Sequence, residues 1–313
     1  MPPSFRDSIA LHWDPTKRKI DTIPFKELAW SVSDSGTLFG AILVERFRSY
    51  GGRLLDLSDY ERRLHTGASE FGIDWSAVPI EVKENAERLL SLNGELLRQH
   101  GDLSFVFLLS PGPASAQGIF GQRPTLMMHV SQLPFATLDQ WYQTGVDLLL
   151  GSCQVVPNTC WPNQIKCRSR LPYFLSDALA ARQRRNALSV LTTSTGCIAD
   201  TSVANLLLVN SRGDLTSPKK EDILVGCTLQ AIERLLLKRG VAISYVDITS
   251  KMLHEASEVI LTGSNGGVWF ARSVDGVPIG SASSRSQTKQ LTDLWKRHVD
   301  FDFVGQAANY RSQ

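Results

Sequence analysis

Hydrophobic residues follow two different spacings in the first part of this 313-residue chain. Short runs rich in β-branched and aromatic residues predict strands, and the first run ends at the turn signal Gly51-Gly52. Leucines and alanines at helical spacing predict helices, one of them beginning at an N-cap residue, Ser58. The strands are expected at 41–50, 104–110 and 125–130, and a second helix at 81–100.

This spacing lapses over 134–142, where neither the period of a strand nor that of a helix is sustained. We expect an interdomain linker there, because a chain of 313 residues approaches the upper size of a single hydrophobic core. The linker would separate an N-terminal domain, residues 1–133, from a larger C-terminal domain, residues 143–313.

Strands and helices follow each other irregularly beyond the linker. Strands are expected at 146–150, 188–193, 203–210, 242–247 and 259–262, and helices at 171–185, 228–239, 250–255 and 287–298. The order has no regular βαβ alternation and no internal repeat. It therefore predicts two α+β domains in preference to one doubly wound parallel sheet.

Composition and charge exclude several classes of protein. The chain is 42% hydrophobic and 20% charged, and its net charge of +2 is spread along the sequence, so we expect no nucleic-acid partner. No apolar run approaches the ~20 residues that cross a bilayer, and residues 1–7 lack the apolar core of a secretory signal. The five cysteines form no Cys-x-x-Cys pair and match no zinc pattern. We expect a cytoplasmic enzyme without a metal.

Lys166 carries the strongest chemical signal. It follows a loop rich in proline and asparagine, 157–163, and precedes an apolar helix. Such a setting suits a desolvated amine that forms a Schiff base with a carbonyl, whereas an isolated lysine is by default a solvated surface residue. Asp200 follows 34 residues later, at the start of a buried strand.

Two glycine turns could hold an anion. One is Gly226 with Cys227 and Thr228, where a glycine ends an apolar run and a helix begins. The N–H groups and the dipole of a helix start favour a phosphate. The other turn begins at Gly263-Ser264. Taken singly, each is more often an ordinary turn or hairpin loop than an anion site, and neither matches a Walker or dinucleotide-binding motif.

Taken in order, these segments resemble the class IV aminotransferases, the fold-type IV pyridoxal phosphate enzymes. This family includes branched-chain and D-amino acid aminotransferases and aminodeoxychorismate lyase. Five segments carry the resemblance: residues 36–50, the helix segment 59–64, the lysine segment 165–173, the strand start 200–205, and the two glycine turns. The resemblance implies a small N-terminal α/β domain, a larger C-terminal mixed β domain and a homodimer.

The resemblance also assigns roles. Lys166 would attach pyridoxal 5'-phosphate covalently and then move the α-proton of the substrate. Arg63 would pair with the cofactor phosphate, with Arg62 as an adjacent rival. Asp200 replaces the family's usual glutamate at the ring nitrogen. The remaining phosphate contacts would come from the two glycine turns, that is, from Gly226, Cys227, Thr228, Gly263 and Ser264.

The expected reaction moves an amino group from an amino acid to a 2-oxo acid, as in the branched-chain enzymes. Two departures keep alternatives open. Ser169-Arg170-Leu171 is more similar to the Asn-Arg-Leu of the lyase than to the Asn-Tyr of branched-chain enzymes, so a lyase is the second candidate. The change at Asp200 makes a catalytically weakened cofactor-binding homologue the third. Arg168, Arg170 and Tyr173 are the candidate substrate-binding residues, although both arginines could equally be salt-bridged residues at a helix start.

Overall fold

The structure is a computed structural model that describes residues 4–14, 17–78, 81–114, 123–280 and 285–311. It divides into two compact units. Unit 1 comprises Met1–Leu133 and Ile165–Ser169, and unit 2 comprises Pro134–Gln164 and Arg170–Gln313. Both units combine sheets with helices, which confirms the predicted α+β fold class.

A six-stranded sheet forms the centre of unit 1, in the order β2-β1-β6-β5-β3-β4. Its strands are β1 Ile9–Asp14, β2 Lys19–Pro24, β3 Leu43–Tyr50, β4 Arg53–Leu54, β5 Leu103–Ser110 and β6 Thr125–Gln132. The α-helices of the unit are α1 Ser35–Phe39, α2 Leu57–Glu70, α3 Val82–Leu92 and α4 Gly94–His100. The neighbouring strands named here pair antiparallel.

The core of unit 1 lies around β3 and β5, which pair antiparallel in an unbroken register. Phe47 of β3 stacks on Phe105 of β5 with ring centroids 5.4 Å apart, and Tyr60 of α2 packs on the same Phe47 ring at 5.1 Å. Helix α2 therefore covers one face of β3. Three aromatic rings that are almost fully buried fix this helix against the sheet.

Two predictions for unit 1 are corrected by the structure. The helix expected at 81–100 is interrupted at Asn93, because the Asn93 side chain donates to the carbonyl of Ile9 at 2.9 Å and accepts from its N–H at 2.9 Å. Because Asn93 is hydrogen-bonded to β1, α3 ends at this residue and α4 starts after it. Helix α2 begins at Leu57, after Asp56, and Ser58 is its second residue instead of its N-cap.

Unit 2 contains a nine-stranded sheet in the order β12-β11-β10-β13-β14-β7-β8-β9, with β15 paired to β14. The strands are β7 Val146–Gln154, β8 Leu188–Thr192, β9 Ile198–Thr201, β10 Asn205–Val209, β11 Leu215–Pro218, β12 Ile243–Val246, β13 Glu258–Gly263, β14 Gly267–Val274 and β15 Val277–Pro278. The helices are α5 Phe135–Thr144, α6 Leu171–Gln183, α7 Cys227–Leu237, α8 Ser250–His254, α9 Ser286–Val299 and α10 Phe303–Tyr310. Parallel and antiparallel pairs both occur.

The stretch in which the sequence pattern lapses forms helix α5 of unit 2. Trp141 stacks on Trp269 with ring centroids 5.0 Å apart, and the Tyr142 hydroxyl donates to the carbonyl of Gly266 at 2.7 Å. These contacts hold the helix on β14 and on the turn before it. Aromatic residues with polar edges obscured the helical spacing of this segment.

A buried carboxylate, Asp147, joins β7 to β14 and α6. It accepts hydrogen bonds from Arg272, at 2.9 Å, and from the Ser273 hydroxyl. It also forms an ion pair with Arg184 at 2.8 Å. The Arg272 hydrogen bond is the main cause that lowers the pKa of Asp147 from 3.8 to about 2, with Ser273 and the two positive charges adding to it against the effect of burial.

This pKa shift predicts an acid-dependent loss of stability. A carboxylate whose pKa is lowered by folding stabilises the fold above its unfolded pKa, and this contribution, about 2 kcal/mol, disappears as the pH falls from about 5 to 2. In urea unfolding at a series of pH values, the difference between wild type and Asp147→Asn should shrink over that range. The exposed Asp214→Asn should differ little from wild type throughout. A pH-independent difference for Asp147→Asn would contradict the assignment.

Two further findings bear on function. Within the described residues, no helix has both the length and the hydrophobicity to cross a membrane. All five cysteines are free thiols.

Candidate active site

The backbone of Lys166 is fixed by strand pairing inside unit 1. The N–H of Val44 donates to the carbonyl of Lys166 at 2.8 Å, and the N–H of Arg168 donates to the carbonyl of Ile42 at 2.8 Å. Between these two bonds, Cys167 lies opposite Leu43. The lysine segment thus lies antiparallel along the free edge at the start of β3. Lys166 is half-buried, as expected for an amine that is partly removed from water.

Arg63 and Arg62 occupy different environments on α2. The Arg63 guanidinium donates two hydrogen bonds, at 2.8 and 2.6 Å, to the two carboxylate oxygens of Glu45. The side chains of this pair are only 8% and 1% exposed, whereas Arg62 is 65% exposed and pairs with Asp59. Burial and the two-point contact therefore favour Arg63 over Arg62 as the arginine with a fixed orientation.

Asp200 is a buried residue of β9, and its carboxylate has a phenol as a partner. The Tyr173 hydroxyl, on α6, donates to Oδ1 of Asp200 at 2.8 Å. The guanidinium of Arg170 lies 4.4 Å from the centre of the Tyr173 ring and donates to the carbonyl of Ser202. The structure therefore brings three of the predicted site residues together, and it places Tyr173 beside Asp200 as a positioning group.

The first glycine turn leads into α7, and Asn205 holds it. The Asn205 side chain donates to the carbonyl of Leu224 at 2.8 Å and accepts from the N–H of Gly226 at 2.9 Å. A Cβ at residue 226 would lie 2.6 Å from the Asn205 side-chain oxygen, so the close approach requires glycine. Asn205 thereby fixes the position at which α7 begins.

The start of α7 has the properties of an anion site. The N-cap residue of this 11-residue helix is Gly226, which has no side chain that could cap it. Thr228, the second residue of the helix, is 2% exposed, and its hydroxyl has no hydrogen-bond partner within the described residues. A buried hydroxyl without a partner costs free energy unless a ligand supplies one. The dipole and N–H groups of the helix start favour an anionic ligand here.

The second glycine turn is a hairpin that connects β13 and β14, with Gly263 opposite Gly267. A Cβ at residue 263 would lie 2.6 Å from the carbonyl oxygen of Val203. Gly263 therefore permits a close approach to the segment that follows β9. Thr262, one residue earlier, is 1% exposed and has a second hydroxyl without a partner among the described residues.

Segment 200–205 thus contacts both glycine turns in unit 2, through Asn205 and through Val203. Lys166 and Arg63 both lie in unit 1. Lys166 lies opposite Val44 of β3, and Arg63 pairs with the next residue, Glu45, whose side chain belongs to the other face of the sheet. Sequence reasoning did not assign functions to Glu45, Asn205 or Thr262. Glu45 lies 18 positions from Arg63 in the sequence, so the ion pair gave no local signal, and the unpaired Thr262 hydroxyl becomes visible only when the sheet is assembled.

No group of three or more histidine, cysteine or acidic side chains within the described ranges is arranged to hold a metal ion. The polar groups gathered in unit 2 are a carboxylate with a phenol, and hydroxyls and glycine N–H groups at turns. The hydroxyl and N–H donors among these groups suit an organic phosphate.

Comparisons with known proteins agree with this chemistry. Residues 42–274 match the family model described as amino-transferase class IV. A D-alanine aminotransferase from Bacillus licheniformis is 24% identical over 267 residues, which are 85% of this chain and 90% of that protein. The branched-chain amino acid aminotransferase of Escherichia coli superposes with a TM-score of 0.76 at 18% identity, covering 92% of this chain and 93% of that one. A 4-amino-4-deoxychorismate lyase from Pseudomonas aeruginosa gives 0.71 at 23% identity, covering 88% and 97%.

The chain belongs to the class IV amino-transferase family, since the family model covers well over half of it. Members of this family are pyridoxal phosphate enzymes. The predictions of the family, of the fold-type IV architecture and of a pyridoxal phosphate-dependent transaminase are therefore confirmed.

Proposed function

We propose that this enzyme moves an amino group from an amino acid to a 2-oxo acid, with pyridoxal 5'-phosphate attached at Lys166. The observation that carries the proposal is the buried Thr228 hydroxyl, which has no partner among the described residues and lies at the start of α7, where the N-cap residue is a glycine. It fits the phosphate of the cofactor. Pyridoxal phosphate, when bound, supplies an aldehyde for the amine and a ring that withdraws electrons from the reacting carbon.

The phosphate would be held by groups of both glycine turns and by an arginine. At α7 these are the Thr228 hydroxyl and the N–H groups that follow Gly226, including that of Cys227. At the hairpin they are Gly263 and Ser264. Arg63 is proposed as the phosphate arginine, and its pair with Glu45 fixes the plane of the guanidinium before any ligand binds.

Lys166 is proposed to act twice, first as the attachment point and then as the base that moves the α-proton of the substrate. Asp200 would hold a proton at the ring nitrogen of the cofactor. The hydrogen bond from Tyr173 orients the Asp200 carboxylate and satisfies one of its oxygens. The Tyr173 hydroxyl is thus a partner of Asp200 in addition to the ring nitrogen. It would hold the shorter aspartate side chain in one rotamer.

A conservative pair of substitutions tests the phosphate site. Thr228→Val removes the hydroxyl and keeps the shape, so the dissociation constant of the cofactor should rise about 10-fold or more, because a hydrogen bond to a charged group is lost. Thr228→Ser should retain most of the affinity. Fluorescence titration of the apoenzyme with pyridoxal phosphate measures both. Equal affinity of the valine variant and wild type would contradict the assignment.

A single-turnover screen tests the reaction. The holoenzyme is mixed with individual D- and L-amino acids, and the conversion of its cofactor to the pyridoxamine form is followed by absorbance. Conversion by at least one amino acid, and its reversal by a 2-oxo acid, is the expected result. Arg168 and Arg170 are the proposed contacts of the substrate, with Tyr173, and their alanine variants should weaken substrate binding in the same assay.

A lyase is the second candidate, and Ser169-Arg170-Leu171 is the observation that favours it. The side chain of Arg170 is fixed by the carbonyl of Ser202 and by the Tyr173 ring. Incubation with aminodeoxychorismate separates the two reactions, because a transaminase releases neither pyruvate nor an aryl amine. Release of both products would replace the first proposal with the second.

We further propose a homodimer in the cytoplasm. Helix α6 exposes a row of large hydrophobic side chains at helical spacing: Leu171, Phe174, Leu175 and Leu179. An exposed apolar row of this kind is typical of a protein interface. Five free thiols are consistent with a reducing compartment.

A further inference from the structure

The face of the unit 1 sheet that carries Lys166 also carries Arg46. Residues that lie directly opposite each other in an antiparallel pair share one face of a sheet, and alternate residues of a strand share it too. Lys166 lies opposite Val44, and Arg46 is two residues further along β3. The Cα atoms of Lys166 and Arg46 are therefore about 7–8 Å apart, as for diagonal neighbours in a sheet.

Arg168 and His129 are among the other cationic or titratable groups on this face. Arg168 lies opposite Ile42, and His129 follows Arg46 across the sheet, since Val106 pairs with both Arg46 and His129. Burial is the main cause that lowers the pKa of His129, and the charges of Arg46 and Arg168 lower it further. This effect is consistent with the position of both arginines near His129.

Arg46 differs from Arg63 and Arg48 because no carboxylate of the described residues neutralises it. Arg63 has Glu45, and Arg48 has Asp102 at 3.5 Å. Within the described part of the chain, the half-buried Arg46 guanidinium makes no ion pair. No aspartate or glutamate occurs among the remaining residues of the sequence, which are 1–3, 15–16, 79–80, 115–122, 281–284 and 312–313.

A half-buried guanidinium without a counterion is unfavourable unless a ligand supplies the anion. Burial also lowers the pKa of Arg46, in keeping with its incomplete hydration. The planar fork of arginine matches the two oxygens of a carboxylate. The protein thus presents an unneutralised carboxylate receptor next to the reactive lysine.

We propose that Arg46 binds a carboxylate of the amino acid and 2-oxo acid substrates. The inference rests on the proposed function in that it takes Lys166 as the reacting group. The carboxylate is either the one on the α-carbon or one in an acidic side chain. Arg46 is thus assigned a role in substrate binding that its position in a strand would not otherwise suggest.

The test uses the holoenzyme with Arg46→Met, which keeps the bulk of the side chain, and Arg46→Lys, which keeps the charge and loses the fork. Titration calorimetry with succinate, an unreactive dicarboxylate, should show affinity reduced about 10- to 100-fold in Arg46→Met and less in Arg46→Lys. The exposed Arg185→Met, with the same change of net charge, should bind succinate as wild type does.

Kinetics with alanine, glutamate and a primary amine that lacks a carboxylate identify which carboxylate is bound. A rise in KM of Arg46→Met for both amino acids indicates the α-carboxylate, and a rise for glutamate alone indicates the side chain. The amine should be unaffected. An equal penalty for all three, or unchanged succinate affinity, would overturn the proposal.

Thermal unfolding separates a structural role from a binding role. Removing an unneutralised charge should leave the Tm of Arg46→Met equal to that of wild type or higher, whereas a structural arginine would lower it. Failure of the proposed function is recognised separately, because wild type would then show no cofactor absorbance attributable to Lys166. Succinate binding needs no turnover and reports on Arg46 in either case.

Discussion

Replacing Lys166 by alanine should abolish covalent attachment of the cofactor and reduce transamination about 10⁴-fold or more. The lysine is assigned both the attachment and the proton transfer, and a positioned general base alone contributes about 10²- to 10⁴-fold. Borohydride reduction of wild-type holoenzyme followed by peptide mapping should find the cofactor on the peptide that contains Lys166. In Lys166→Ala the same treatment should leave no cofactor bound after denaturation.

Lys251→Ala is the matched control, because the Lys251 side chain is 80% exposed and pairs only across one helical turn with Glu255. This variant should bind the cofactor and turn over as wild type does. Exogenous methylamine should partly restore proton transfer in Lys166→Ala, since a small amine can take the place of the missing base. Cofactor recovered on a different lysine would disprove the central assignment.

The second large effect is expected at Asp200. Asp200→Asn keeps the size of the side chain and removes the charge that would hold a proton at the ring nitrogen of the cofactor. The rate of proton transfer should fall about 10²-fold, as when one preorganised electrostatic contact is lost from an active site. Single-turnover absorbance with a reactive amino acid measures this rate, and cofactor affinity should change much less than the rate.

Tyr173→Phe separates the charge of Asp200 from its orientation. The variant removes only the hydroxyl that donates to Asp200 at 2.8 Å. If Tyr173 positions the carboxylate, Tyr173→Phe should slow proton transfer less than Asp200→Asn does and should add little in the double variant, because both act through one contact. An unchanged rate in Asp200→Asn would contradict the role of Asp200 at the ring nitrogen, whereas turnover of any amino acid by wild type would exclude the catalytically weakened cofactor-binding homologue.

The sequence pattern was sufficient for elements with strong periodicity. The strands at β3, β5 and β6 and the helices α6 and α7 lie where hydrophobic spacing predicts them. The break between α3 and α4 was not predictable, because Asn93 ends α3 through bonds to Ile9, which is remote in sequence. Helix α5 was missed because its tryptophan and tyrosine pack against β14 and the turn before it, which local spacing does not encode.

For the candidate site, too, the sequence predicted local features and missed contacts between remote segments. Motif order identified Lys166, Asp200 and both glycine turns, since these residues form a recognisable series along the chain. The hydrogen-bond and ion-pair partners within the site could not be predicted from the sequence, because each pair depends on strands or helices far apart along the chain. Glu45 with Arg63, Tyr173 with Asp200, and Asn205 with Gly226 are the three examples. The sequence also could not show that Arg46 lacks an ion pair within the described residues, because this depends on the assembled sheet.

The bond between Val44 and Lys166 joins residues about 120 positions apart, and it has a consequence for biosynthesis. At about 5–20 residues per second, the first strands of unit 1 leave the ribosome many seconds before the segment that completes their edge. During that interval the backbone groups at the start of β3 can pair with another strand edge. A fragment that stops at Leu133 would keep these backbone groups exposed permanently, because the segment that contains Lys166 is the one that pairs with the start of β3.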